Sequence, residues 1–421
     1  MDERIYSTYV QILKEELVPA MGCTEPIALA YCASLCHDLL DDDIVSVHIG
    51  VSGNIIKNVK SVIVPNTDGL KGIEASVAAG IVGGDSQKVL EVISHVTAKQ
   101  KENMKVFLET IPMKVEPLES DYALDIEITI QGKNHTAKVR IAGYHTNVIL
   151  KQRDQQTLFE SGVMNKDVST TDRSLLSIEN ICEFANIVQL DDVKDVLERQ
   201  IAYNMAIAKE GLTHDWGANI GKILLKTYGD DVKTKAKAYA AAGSDARMSG
   251  CELPVIINSG SGNQGMTASL PVIVYALEEK KSHDLLLRAL VVSNLCTIHQ
   301  KTGIGRLSAY CGAVSAGIGA GCGIAYLDGG DYNAIAHTLV NGIAIVSGIV
   351  CDGAKPSCAA KIASSVDAGI LGYYIYKNNC EFKGGDGLVC KGVENTIRNI
   401  GRLSQEGMKE TDKEIIKIMC G

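Results

Sequence analysis

Cys23 lies in Met-Gly-Cys-Thr-Glu-Pro, directly before a segment that reads as a helix, with Thr24 as a plausible cap and Pro26 in the first turn. A thiol at a helix N-terminus is biased toward the thiolate, which suits a nucleophile or a metal ligand; an ordinary buried thiol at a turn is the other reading. Five further cysteines, Cys296, Cys311, Cys322, Cys351 and Cys358, follow one another beside glycine-rich breaks. None of these forms a Cys-x-x-Cys pair, so the paired spacing of a structural zinc site and the ferredoxin run are both absent. A centre held by cysteines far apart in sequence fits what is left.

Three polar segments accompany these thiols. Asn258-Ser259-Gly260-Ser261-Gly262-Asn263-Gln264-Gly265 precedes a helical stretch, so its N–H groups suit a carboxylate or phosphate; neither a Walker motif nor a dinucleotide fingerprint is completed. His299 and Lys301, in Cys-Thr-Ile-His-Gln-Lys-Thr-Gly, are candidate general bases or surface residues near a helix end. Ser52-Gly53-Asn54-Ile55-Ile56-Lys57-Asn58 joins two strand-like runs and is either a turn or a set of groups that orient an amine or carboxylate. His214-Asp215 and Ser244-Asp245-Ala246-Arg247 are weaker examples of the same pattern.

Composition limits the classes open to the chain. Of 421 residues, 46% are apolar and only 5% aromatic, with 41 glycines, which suits closely packed small-residue helices around a sizeable core. The formal charge of −9 and the lack of a basic run argue against nucleic acid. Met1-Asp2-Glu3-Arg4 is not an apolar leader, and 13 cysteines, an odd number, cannot all pair within the chain; a reducing, cytoplasmic setting is expected. The uncharged run from Leu307 to Leu327, bracketed by Arg306 and Asp328, is rich in Gly, Ala and Ser and reads as a buried bent helix or helix pair, not a membrane span.

The elements that must position these residues divide into two regions. Residues 5–18 and 26–40 read as helices; period-two alternation marks strands at 44–49, 61–64, 105–117, 122–131, 136–141 and 148–150, with helices at 73–82 and 86–98 between them. Residues 152–172 are polar and read as a linker. Beyond it, helices are expected at 175–188, 191–227, 231–247, 266–280, 283–299, 307–326, 333–350, 356–378 and 388–402. The expectation is an α+β protein. An N-terminal α/β domain, 1–165, carries a mixed or antiparallel sheet, and an all-helical domain, 173–421, follows it.

Together, Met21–Pro26, Ser52–Asn58, Ser244–Gln264, Lys301–Cys311 and Cys351–Ser357 resemble the L-cysteine desulfidase family, a relative of the iron–sulfur L-serine dehydratases. The resemblance implies a 4Fe–4S cluster held by three cysteines with one iron open, and Cys23, Cys311 and Cys351 match those ligands, Cys322 and Cys358 being the nearby alternatives. It implies β-elimination of L-cysteine to sulfide, ammonia and pyruvate without pyridoxal phosphate. It further implies Lys301, then His299, as base and Glu25 as an orienting group. Asn54, Lys57, Asn58, Ser259, Ser261 and Asn263 become substrate contacts. Serine dehydration on the same centre is the nearest alternative, and a non-catalytic iron–sulfur or thiol sensor is the alternative of another class. The expected partner is a small amino acid, with no nucleic acid or membrane, and a homo-oligomer is compatible with the sequence.

Overall fold

The alternation that begins at Ile44 turns Val47, Ile49 and Val51 to one side of a strand, and that side becomes the floor of an apolar core. The computed structural model describes residues 1–120, 122–161, 171–305 and 308–420. In chain order, the N-terminal elements are α1 (Glu3–Glu16), β1 (Pro19–Met21), α2 (Thr24–Leu40), β2 (Ile44–Val51), α3 (Gly53–Val59), α4 (Gly72–Gly83), α5 (Ala98–Thr110), β3 (Met113–Pro117), β4 (Asp125–Gly132), β5 (Thr136–Ala142), β6 (Val148–Arg153) and β7 (Gln156–Glu160). The sheet runs β3-β2-β4-β5-β6-β7, parallel between β2 and β3 and antiparallel elsewhere, so it is mixed. Helix α2 lies on it, and the thiols of Cys32 and Cys36 donate to the strand carbonyls of Val139, Ile128 and Ala137.

The second region contains α6 (Ile178–Ile187), α7 (Lys194–Thr213), α8 (Ile220–Tyr228), α9 (Val232–Met248), β8 (Pro254–Ile256), α10 (Gly262–Glu278), α11 (His283–Ile304), α12 (Gly312–Leu327), α13 (Tyr332–Ile345), α14 (Cys358–Lys377), α15 (Val393–Arg402) and α16 (Lys409–Cys420). The chain is therefore α+β, with the sheet first and helices after it. The two regions interlock: β1 pairs antiparallel with β8, and Tyr9, Ile12 and Leu13 of α1, with Leu17 at its C-cap, join the core of the helical region.

Several elements depart from expectation for identifiable reasons. Residues 105–117 are not one strand: Thr97 and Gln100 form a reciprocal capping box that starts α5, and extended backbone begins only at Met113. The expected strand at 61–64 is reduced to a single bridge, Ile63 to Lys71, and the expected helix at 86–98 to a 3₁₀ turn over Ser86–Glu91. The expected helix 191–227 breaks into α7 and α8 where Gly217 and Asn219 take positive φ, 55° and 54°. Residues 152–160 belong to strands and a turn, not a linker, with Asp154 at φ 55°; residues 162–170 of that stretch lie outside the described residues. Within residues 308–327 one helix, α12, follows the extended backbone of Cys311, and no helix among the described residues is long and apolar enough to cross a membrane.

Helix α12 is the axle of the helical region. Gly317 and Gly321 meet Gly369 of α14 on one side, and Gly319 and Gly323 meet α11 on the other. A Cβ on Gly369 would stand 2.1 Å from the Gly317 carbonyl oxygen, a backbone atom that cannot step aside. Gly369→Ala is accordingly expected to cost about 3 kcal/mol in urea unfolding; a loss below about 0.5 kcal/mol, the range of inert surface changes, would contradict this packing.

Candidate active site

Helix starts deliver the thiols. Cys23 is the N-cap of α2, Cys311 is the N-cap of α12, and Cys358 is the first residue of α14, so each sits at a positive helix end. Cys351 arrives by a different device. A short antiparallel bridge joins Tyr310 to Val350; Cys311 N–H donates to Ile349 O (2.9 Å) and Cys351 N–H to Ala309 O (2.7 Å). This register sets the two side chains side by side, thiol hydrogen-bonded to thiol. Cys358 acts electrostatically on Cys311 and is itself acted on by Cys351. Cys23 belongs to a small buried cluster with Val62 and Met248, against which Ala354 and Cys358 pack. Cys311, Cys351 and Cys358 thus lie together, and Cys358 links them to the Cys23 cluster.

Their proton affinities differ. Hydrogen bonding from Cys311 holds the Cys351 thiol below its ordinary value, at about 6, with Lys57, the Gly353 N–H and Lys361 adding to the effect against burial. Cys311, as donor in that pair and buried, is pushed up. Burial and the neighbouring Glu25 carboxylate raise Cys23, with Arg247 opposing them. The Cys23 thiol donates to Glu25 Oε2 at 3.1 Å.

Among the described residues no three His, Cys, Asp or Glu side chains are grouped to hold a single metal ion. A cluster of several irons is larger than one ion, and its thiolate ligands need not touch one another. Soft thiols, buried at Cys23 and half-buried at Cys311, Cys351 and Cys358, are the donor chemistry such a group requires. Cys322 is not in this group: it lies in mid-α12, hydrogen-bonds with Cys296 and donates to Ile335 O at 3.7 Å.

A polar wall adjoins the thiols. Glu25 Oε1 accepts from Asn58 Nδ2 (3.2 Å), and Thr24 Oγ1 donates to Gly260 O (3.1 Å). Gly260 belongs to a tight turn in which Asn258 and Ser261 exchange both backbone hydrogen bonds, with Ser259 and Gly260 at positive φ, 50° and 79°. Buried amides clamp the turn: Asn258 Nδ2 donates to Asn294 Oδ1 (2.9 Å), and Asn294 pairs with Gln200. The Ser259 side of the turn lines a cavity of about 290 Å³ that also receives Lys301, Arg173, Glu16 and Tyr144. Among the described residues no cysteine lines that cavity, while Gly260, on the other side of the turn, accepts from Thr24, the neighbour of Cys23.

The remaining candidates divide. Lys301 is buried and at the cavity, whereas His299 is bound to Glu394 of α15 (2.7 Å) and does not line it. Lys57 pairs with Asp412 of α16, and Asn54 Oδ1 is buried without a hydrogen-bond partner among the described residues. Ser261 caps α10, and Asn263 Oδ1 accepts from Arg247 (3.1 Å). Arg247 is only weakly marked in the sequence, and Lys361 and Asp352 not at all, yet Lys361 Nζ tethers the Cys351 loop by donating to Val350 O and Asp352 Oδ1. A lone arginine among the alanines of α9 was the available signal for Arg247.

Residues 87–417 match the family described as serine dehydratase alpha chain. The chain belongs to the serine dehydratase alpha chain family. Membership makes it a serine-dehydratase-like protein of lyase type, in a family of iron–sulfur enzymes. The matched range contains Arg247, Lys301, Cys311, Cys351 and Cys358 but begins after Cys23. Relatives extend over the whole length. A UPF0597 protein of Desulfitobacterium hafniense (strain Y51) is 60% identical over 99% of this chain and 97% of its own. Others, from Lachnoclostridium phytofermentans and Treponema denticola, are 50% and 45% identical over 99% and 100% of this chain and 100% and 99% of theirs.

In this family member, the last turn of α9 brings Arg247 and Met248 toward Cys23, and Asp245 of the same turn accepts from Gly221 N–H (3.2 Å) at the start of α8. Burial pushes the Asp245 carboxyl from an ordinary 3.8 up to about 6, against the N–H groups of Gly221, Ile220 and Ala218. A raised acid keeps its proton in the folded state after the unfolded chain has lost it. Stability should therefore fall as pH climbs from about 4 through about 6 and then level off. Asp245→Asn should abolish that decline, on the order of 3 kcal/mol at most, in urea titrations from pH 4.5 to 7; parallel profiles for the two proteins would contradict the assignment.

Proposed function

We propose that this protein is a lyase that eliminates the β-substituent of a small amino acid, with L-cysteine as substrate and sulfide, ammonia and pyruvate as products. The observation that carries the reading is the pairing of Cys311 with Cys351 beside Cys358, which in turn packs against the Cys23 cluster, next to a turn whose Ser259 lines a cavity containing Lys301. Cys23, Cys311 and Cys351 would hold a 4Fe–4S cluster, which, when bound with one iron open, supplies a Lewis acid for the departing group. The Gly-Cys-Thr-Glu-Pro turn favours cysteine as substrate; the family description favours serine, which is the second reading.

The chain's own residues supply the rest. Lys301 takes the Cα proton, a weakly acidic one that needs a well-placed base. Loss of that proton and of the β-sulfur as hydrosulfide leaves aminoacrylate, which becomes an imine and is hydrolysed to pyruvate and ammonia. Ser259 and the backbone of its turn orient the substrate, and Glu25, fixed by Asn58 and Thr24, faces the ammonium group. His299, held by Glu394, serves the packing of α11 on α15.

Anaerobically prepared protein should release pyruvate and sulfide from L-cysteine with a higher kcat/KM than pyruvate from L-serine. Preference for serine would move the assignment to the second reading, and bound iron with no turnover of either would remove the lyase. Lys301→Met should lower kcat by ~10²–10⁴-fold, while His299→Ala should stay near wild type. Equal losses in the two variants would refute the division of roles.

A further inference from the structure

Arg247 is 2% exposed, and among the described residues no carboxylate pairs with it. Its Nη1 donates to Asn263 Oδ1 at 3.1 Å, and its Nε has no hydrogen-bond partner. The side chain lies flat on the start of α10, where a Cβ on Gly262 would come within 2.5 Å of Nε, so that only glycine admits it. Two residues on, Gln264 is also buried, with Oε1 unpartnered, and it packs against Gly312 beside Cys311. The neighbour of Arg247 in sequence, Met248, packs with Cys23. A guanidinium buried without a counter-charge is costly, and a planar fork held by one edge is suited to receiving a carboxylate on another.

We propose that Arg247 binds the α-carboxylate of the amino-acid substrate, with Asn263 as the positioning residue that fixes the guanidinium plane. This inference rests on the lyase reading for the identity of the ligand. It alters the part given to Asn263, whose amide oxygen serves Arg247. It also orients the substrate: the carboxylate lies at the α9–α10 junction, and the β-carbon points to the thiols. Lysine at position 247 would keep the charge and lose the fork.

The experiment compares each amino acid with its amide, L-cysteine with L-cysteinamide and L-serine with L-serinamide, on the anaerobically prepared protein. The readouts are kcat, KM, bound iron and the ligand-induced shift in melting temperature. Wild type is expected to favour the acid over the amide by about 100-fold. Arg247→Gln should raise KM for the acid by a similar factor, shift KM for the amide far less and retain its iron; Arg247→Lys should lie between. Asn263→Ala should weaken acid binding less than Arg247→Gln. If neither compound is turned over, the lyase reading fails, and the melting shift still decides the inference: a shift by the acid in wild type that Arg247→Gln abolishes supports it. Equal response of wild type to acid and amide overturns it even if no variant folds. Loss of iron in Arg247→Gln with the acid preference intact also overturns it, by showing that the guanidinium serves the thiol centre instead.

Discussion

Two backbone hydrogen bonds, Cys311 N–H to Ile349 O and Cys351 N–H to Ala309 O, place one thiol against another at the mouth of α12. The other parts of the site are arranged around that contact. The α14 start adds Cys358, and the α2 start adds Cys23 from the other end of the sequence. Helix termini are suited to this work because their unpaired N–H groups favour anionic sulfur, and because a rigid helix fixes where its first residue stands. The pairing of β1 with β8 then ties the Cys23 turn to the segment leading into Asn258–Ser261. The helical half and the sheet half are therefore mechanically joined beside Cys23.

The small residues serve the same end. Helix α12 can bring Cys311 beside Cys351 because α11 and α14 approach it closely, glycine to backbone, along its length. Aromatic side chains at those positions would push the layers apart and move the helix starts with them. Scarcity of aromatics and abundance of glycine are, in this protein, properties of the site as much as of the core.

The strands near 44–49, 122–131, 136–141 and 148–150, the order of sheet before helices, and the polar turn at Asn258–Ser261 were legible because each depends on local pattern. Boundaries set by one special residue were not: the capping box at Thr97 and the positive φ of Asn219 override the apolar periodicity. Among the cysteines, spacing could not choose between Cys311, Cys322 and Cys358. What distinguishes them is that Cys322 is in mid-helix, facing Cys296 and a carbonyl of α13, while the others are at helix starts. His299 and Lys301 were both candidate bases on paper, with the lysine the first choice. Two residues apart on a helix, they diverge by roughly 200°, and only packing decides that Glu394 takes the histidine and the cavity takes the lysine. Arg247 was nearly invisible because its importance lies in what it lacks, a counter-charge, which a sequence does not display.

One iron–sulfur centre held by Cys23, Cys311 and Cys351 would depend on each of the three thiolates. The direct measurement is iron and acid-labile sulfide per chain, with the electron paramagnetic resonance spectrum after reduction, for wild type and single alanine variants prepared without oxygen. Cys23→Ala, Cys311→Ala and Cys351→Ala should each lose most of the iron and the wild-type spectrum, while Cys296→Ala and Cys322→Ala keep both. Full iron and an unchanged spectrum in Cys311→Ala and Cys351→Ala would contradict that ligand set.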